Sequence, residues 1–434
     1  MMKKKLLALA LTGLMAGGSL LMPAMAETAA QPSGQTTAAY ALPADTKRIE
    51  EYAFAGNTSL VSVKIPDGVT AIGDYAFAGC TSLQEVILPV GLTEIGAHAF
   101  DGCEALVNIG CPAEEEAVDD ADAPEAASEQ PKEEISDLGG AVRTIFGVFT
   151  NFDSLEAADE EENAAEEDAL LATAGGLRNV VTIGDYAFRG CRSLVSVGEM
   201  SSAMSIGDYA FGGCESLESI GDMLELEQIG VGAFGAYNFY DDESDSYIFT
   251  ACASLKKIGN MPKLKTIGVN AFYGCTVLES IGELTSLRSI EDDAFVGCEL
   301  LEELGDMPEL ESIGDGAFGV FEQSNSKTHM LEKVYSTSLK RIGSTPKLKT
   351  IGVSAFYECT ALESVGNLSS VTSIGETAFY DCSSLASVGD LSNVNSIGER
   401  AFSGCRSLTL RVPRGSYAEQ YAKNRHIKYT YIED

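Results

Sequence analysis

The chain has no tryptophan, three histidines in 434 residues, and 29 Lys or Arg against 65 Asp or Glu. Each scarcity excludes something. None of His98, His329 or His426 lies in a metal or nucleophile motif such as H-E-x-x-H or G-x-S-x-G, and no phosphate loop G-x-x-x-x-G-K-[ST] is present. Ser254-Leu255-Lys256-Lys257 matches S-x-x-K only formally, as part of a repeated turn and strand. A net charge of −36 opposes binding to nucleic acid or to an anionic membrane. Beyond the N-terminus no run of about 18 apolar residues occurs, so the mature chain is expected to have no transmembrane span. At 45% hydrophobic and 22% charged the composition is nevertheless that of a folded chain. No catalytic residue, cofactor or metal is expected.

The first 26 residues have the features of a secretory signal. Lys3, Lys4 and Lys5 precede an apolar stretch broken by Gly13, Gly17 and Gly18, and Ala24-Met25-Ala26 offers small residues for cleavage. The mature protein is therefore expected to be exported, with a net charge of −39. Residues 27–41 read as a linker.

What the chain has in abundance is one pattern. Ala-Phe recurs with its phenylalanine at 54, 77, 100, 188, 211, 234, 272, 295, 318, 356, 379 and 402, at spacings of 23 or 38 except across one long gap. In the second copy Leu60, Val63, Ile65, Val69, Ile72, Ala76, Phe77 and Cys80 are the apolar positions. The alternation over residues 60–65 predicts a strand, and Pro66-Asp67-Gly68 a turn. A 23-residue unit cannot bury a hydrophobic face alone, so neighbouring units must cover one another. The fold class is a β-rich solenoid of about twelve units. A longer duplication overlies the short one: Lys263-Leu264-Lys265-Thr266-Ile267-Gly268-Val269 recurs at 347–353.

The motif I-G-x-x-A-F-x-x-C-x-x-L-x-x-[VI], carried at 72–86, 206–220 and 397–410, resembles the BspA-like leucine-rich repeat of secreted and surface proteins. That resemblance implies a leucine-rich-repeat array at the cell surface or outside the cell. It also implies adhesive binding to host matrix proteins or other cell-surface proteins. In mid-chain the pattern departs from the usual form, with Gly-x-[ML] (Gly198-Glu199-Met200, Gly282-Glu283-Leu284) replacing the strand's last apolar residue and a proline. Units 1–3 span 42–110 and units 4–12 span 177–412.

Ten cysteines, at 80, 103, 191, 214, 252, 275, 298, 359, 382 and 405, stand three residues before the unit's leucine, with Asn57 and Ser336 in that place in the other two units. One thiol per coil makes a column, without the close pairs of a zinc site, and a buried reduced ladder is expected.

Residues 111–176 interrupt the array with 20 acids and two bases, a low-complexity acidic insertion enclosing an apolar stretch at 138–149 that suits docking on the solenoid or on a partner. Two further insertions follow Phe234 and Phe318, and the first contains Asp241-Asp242-Glu243-Ser244-Asp245, an exposed acidic loop with weak calcium-binding character. Ser416-Tyr417-Ala418-Glu419 is a capping box, predicting a helix to about Lys423 and a strand over 427–432; residues 413–434 form a C-terminal cap.

Lys256, Lys257, Lys263 and Lys265, and their duplicates Lys340, Arg341, Lys347 and Lys349, form basic stripes in an acidic chain. They either neutralise acids on adjacent coils or dock acidic protein ligands, for which Lys256, Lys257, Lys340 and Arg341 are the candidate partner-binding residues. Two functions fit this reading: an exported, non-catalytic protein-binding or adhesion protein, or a structural component of the envelope or extracellular matrix.

Overall fold

The computed structural model describes residues 39–111, 176–241, 246–319, 321–324, 331–334 and 338–432. The signal segment, most of the acidic insertion with its apolar stretch, Asp242 to Asp245, and Ser336 lie outside the described residues.

The described chain is a parallel β-solenoid of about 13 turns. Its longest sheet has twelve strands in sequence order, each of two residues, and each ending on the isoleucine of an Ile-Gly or Ile-Glu pair, from Arg48–Ile49 and Ala71–Ile72 to Ser396–Ile397. A second column of short strands and bridges runs through Ser62–Lys64, Glu85–Ile87, Asn108–Gly110, Ser196, Ser219–Ile220 and Lys257–Ile258. It begins one strand earlier than expected: Ala39–Ala41, within the anticipated linker, pairs in parallel with Ser62–Lys64.

Stacking explains the residue pattern. Alanine, phenylalanine and leucine of each repeat point inward, and the ten phenylalanines from Phe77 to Phe379 are completely buried. Their rings stack nearly parallel, at centroid distances of 5.0 Å (Phe54 on Phe77) to 5.4 Å (Phe234 on Phe272). Edge-on tyrosines close both ends, Tyr40 against Phe54 and Tyr421 against Phe402. Each buried phenylalanine contributes roughly 1.5–3 kcal/mol of transfer free energy, so strands only two residues long are held by the column they stand on.

The Ile-Gly-Asp signature has its own reason. A Cβ at Gly96 would lie 2.8 Å from the Gly73 carbonyl carbon and 2.5 Å from Asp74 Oδ1; the missing side chain lets adjacent coils touch. The aspartate then accepts the amide of the coil above, as Asp74 Oδ1 does from Ala97 at 2.9 Å and Asp208 Oδ1 from Val231 at 2.7 Å.

The ten cysteines of the column are free, nine of them buried and Cys405 half-buried. Each phenylalanine carbonyl in the regular stretches accepts twice. Phe77 O takes the amide of Cys80 at 3.1 Å and the thiol of Cys103, one coil on, at 3.1 Å. The same thiol bond recurs from Cys80 to Cys405 along the stack. Cysteine suits this place because it is small, apolar and still a weak donor. The first unit has no phenylalanine carbonyl beneath it, and there Asn57 instead accepts from the amide and hydroxyl of Ser59.

The mid-chain Gly-x-[ML] departure leaves the register intact, because Asn108, Ser196 and Ser219 bridge in order. It shortens the second-column strands from three residues to two or a single bridge, and moves the inward side chain on by one position. Leu88 fills the interior in unit 3; Met200 fills it in unit 5, while Glu199 is exposed.

The long insertion leaves the array unbroken. Cys111 N–H donates to Gly176 O at 2.9 Å, and Phe100 stacks on Phe188 at 5.3 Å as if the chain were continuous. The two 15-residue insertions form antiparallel hairpins: Tyr237–Asp241 pairs with Ser246–Thr250, and Phe321–Ser324 with Leu331–Val334. Asp241 thus ends a strand. The hairpins' signal in the sequence is the alternation of Tyr, Phe and Ile in YNFYD and SYIFT, which follows the strand period of two and not the 23-residue repeat.

The cap matches the expected helix start with one change of partner. Helix α1, Tyr417–Arg425, has Ser416 as N-cap, its side chain accepting from the Glu419 amide at 3.1 Å. The Glu419 carboxylate reaches past the N-cap to the amide of Gly415 (2.6 Å) and also binds Tyr431 Oη (2.7 Å) and Lys423 Nζ (2.6 Å). Lys423, Tyr431 and the Gly415 amide together hold its carboxyl well down, at about 2. The final strand, Lys428–Tyr431, pairs in parallel with Thr409–Val412 and covers the last coil.

Candidate protein-binding surface

The residue before each Ala-Phe pair adopts a left-handed backbone: Tyr52, Tyr75, His98, Tyr186 and Tyr209 all have φ between 51° and 58°. This conformation costs an ordinary residue roughly 1–2 kcal/mol. It recurs because the chain must turn sharply between the isoleucine strand and the buried phenylalanine, and it throws the side chain onto the outer surface. In the first five units that side chain is aromatic. The rings stack face to face in one column, at centroid distances of 4.8, 4.4, 4.7 and 5.3 Å from Tyr52 to Tyr209. Tyr52, at the end, is 55% exposed, and the other four are half-buried.

The centre of the column is braced by charge. Arg189 donates two bonds to Asp101, at 2.9 and 2.6 Å, and its guanidinium lies 4.8 Å from the centroid of Tyr186. His98 Nδ1 lies 2.7 Å from the same carboxylate. Burial within the stack, and then its neighbour Tyr209, raise the Tyr186 hydroxyl above its ordinary value, so it stays neutral and able to donate. The column stops at Gly232, where a Cβ would lie 2.4 Å from Tyr209 Cε1. Beside the column runs a depression of about 480 Å³ bordered by Thr182, Asp185, Ser205, Asp208, Gln228 and Thr266.

The column was missed in the sequence, although its signal was in plain view: Tyr, Tyr, His, Tyr, Tyr directly before the first five Ala-Phe pairs. A period-based reading weights the positions that must be buried, and this one is turned outward.

Of the sequence-derived candidates, Lys256, Lys340 and Arg341 each meet an acid 38 residues earlier: Glu218 at 3.3 Å, Glu302 at 2.8 Å and Glu303 at 2.5 Å. Lys263, Lys265, Lys347 and Lys349 pair likewise with Glu225, Glu227, Glu309 and Glu311. Lys257 is exposed and forms no ion pair with a described residue. The two basic stripes do not converge on one site; each lies on the acidic coil beneath it. That geometry favours neutralisation over an open cationic surface.

Among the described residues no three His, Cys, Asp or Glu side chains group as metal ligands. Burial pushes the Cys359 thiol up to about 12 and raises those of Cys191 and Cys298 further, which keeps them protonated. No helix among the described residues is long and apolar enough to cross a membrane.

The BspA type leucine rich repeat region matches the chain in six copies, over residues 37–121, 176–241, 242–333 and 321–418. The chain belongs to this family. A leucine-rich repeat protein from Bacteroides ovatus is similar at 22% identity, with 91% of this chain and 92% of that one covered and a TM-score of 0.48. A leucine rich cell surface protein from Faecalibacterium prausnitzii is similar at 20% identity, with 88% and 89% covered and a TM-score of 0.35. A pneumococcal vaccine antigen, PcpA, is similar at 14% identity, with 93% and 91% covered and a TM-score of 0.38. No curated protein matches the chain.

Proposed function

We propose that this BspA-type protein is exported and acts without catalysis, using the side of its solenoid to hold other proteins at or beyond the cell surface, in adhesion to host matrix proteins or to other cells. The aromatic column carries this reading. Tyrosine and arginine dominate the energetics of protein interfaces, and here five rings and one guanidinium stand in a row on the surface. Rings already stacked on one another lose little freedom when a partner arrives. The adjoining depression lengthens the surface beyond what a small ligand would need.

The supporting chemistry around it is inert. All thiols but that of Cys405 are buried, and the His98 imidazole is engaged with Asp101. Membership of the BspA family supports the surface setting and the class of partner.

The test is binding of the mature chain to a panel of purified extracellular matrix proteins, in three forms. The double variant Tyr75→Asn/Tyr186→Asn keeps residues that tolerate a left-handed backbone and is expected to lose saturable binding. Charge reversal at Lys256, Lys257, Lys340 and Arg341 is expected to leave it. The opposite pattern would move the site to the basic stripes. Self-association with no saturable partner would sink the binding function in favour of a structural component of the envelope.

A further inference from the structure

Charge in the last unit and the cap runs against the average of the chain. Residues 400–428 hold seven Lys or Arg and a single acid, Glu419, in a protein of net charge −36. The turn of the last unit and the cap border an open cavity of about 350 Å³ there, within the size range of small-ligand sites. Its lining includes Arg400, Arg406, Arg425, Lys428 and His426, beside the ring of Tyr421.

These cations differ from those of the array. In the basic stripes, every lysine or arginine but Lys257 meets a glutamate on the coil beneath. Arg400, Arg406, Arg425 and Lys428 form no ion pair with a described residue, and no carboxylate lines the cavity. Two acids come near without entering it. Asp381 lies against Gly404 from the coil below, and Glu419 is taken up by Lys423, Tyr431 and Gly415. Arg425 keeps only a distant aromatic contact, 6.0 Å from the centroid of Tyr421. Like charges gathered on one small cavity repel unless an anion joins them, and none of the described acids lines it.

The chemistry of the donors selects the anion. Three guanidiniums present planar forks suited to oxyanions, and an ammonium and an imidazole stand with them. One carboxylate offers two oxygens and one charge, too few for this set; a phosphate group offers at least three oxygens and close to two charges. We propose that this cavity binds a phosphate group, free or as a monoester. Because screening limits such a site to about 8 Å at physiological salt, the acidity of the rest of the chain does not cancel it.

Calorimetric titration of the mature full chain with inorganic phosphate, glucose 6-phosphate, glucose 6-sulfate and glucose tests the assignment. Saturable binding of one or both phosphates is expected, at least tenfold tighter than the sulfate ester, with none for glucose. Tighter binding of inorganic phosphate would identify a free-phosphate site, and the reverse a phosphoester site. The variant Arg406→Gln/Lys428→Gln should weaken binding at least tenfold. Arg411→Gln/Arg414→Gln removes the same charge outside the lining and should weaken it less than twofold, thermal melts confirming that both variants fold. Cys405 also lines the cavity, and its reaction with a thiol reagent in the native protein should slow several-fold at saturating phosphate. No saturable phosphate binding, equal loss in the two variants, or unchanged Cys405 reactivity would each overturn the proposal.

Discussion

Units 1–5 and units 7–10 stand on the same interior and carry different exteriors. In both, the phenylalanines are stacked at 5.0–5.4 Å and the isoleucine strands pair without a slip. At the left-handed position, however, the first group has Tyr52, Tyr75, His98, Tyr186 and Tyr209, while the second has Asn270, Asp293, Gly316 and Ser354. The later units instead carry ladders of Lys–Glu and Arg–Glu pairs across the coils. The repeat demands an interior and a turn; it does not specify what is hung outside the turn. The exterior is therefore where units of one array can differ in function.

The largest effect that could break this comparison lies in the shared interior. Phe100→Ala and Phe272→Ala, one in each group, are each expected to cost about 3–5 kcal/mol, measured by urea denaturation. A difference of more than about 2 kcal/mol between them would show that the two halves do not share an equivalent core.

The cap comes next, because an unfolded last coil exposes the column. Glu419 is held at about 2 in the folded protein, against about 4.3 when unfolded. Its contribution is therefore complete above the unfolded value and lost as pH falls toward 2. Following unfolding from pH 6 to pH 2.5 should show Glu419→Gln less stable than the parent at pH 6, the gap narrowing as pH falls. A constant gap would mean that the carboxylate's charge is not what holds Gly415, Lys423 and Tyr431.

Tyr186→Asn is a smaller change and sharpens the comparison directly. Two ring contacts, worth about 0.5–1.5 kcal/mol each, are lost, while asparagine relieves part of the left-handed backbone cost. A net loss of about 1 kcal/mol is expected. The corresponding change in a later unit, Ser354→Asn, should be neutral by the same thermal melts.

The smallest effect belongs to the outer ion pairs. Lys347→Gln should lower the melting temperature slightly at low salt and not at all in 1 M NaCl, since exposed pairs are screened. A loss that persists in high salt would mean that Lys347 acts through packing on its neighbour coil.

Much of the fold was legible because burial is periodic. Phe77, Leu83 and Ile72 repeat every 23 residues and each is fully buried. The helix start was legible through Ser416 and Glu419, and the charge ladders through Lys256 and Lys340 in a duplicated block. The hairpins at Tyr237–Asp241 and Phe321–Ser324 were not read, because they lie between repeats and do not share the repeat's period. The tyrosine column was written in the sequence and passed over, because a chain gives no sign that residues 23 or 88 apart will place rings 5 Å apart on its outside.

The sequence by itself determined the repeat, its interior and the export-signal features, since each follows from local chemistry repeated at fixed distance. Only the tertiary structure decided what meets across the coils: that each thiol of the column donates to a phenylalanine carbonyl, that the basic stripes meet their own acids, that five rings form one surface, and that cations of the cap border one open cavity. Stacking sets those contacts, and stacking pairs residues of neighbouring coils that the linear chain keeps at least 23 positions apart.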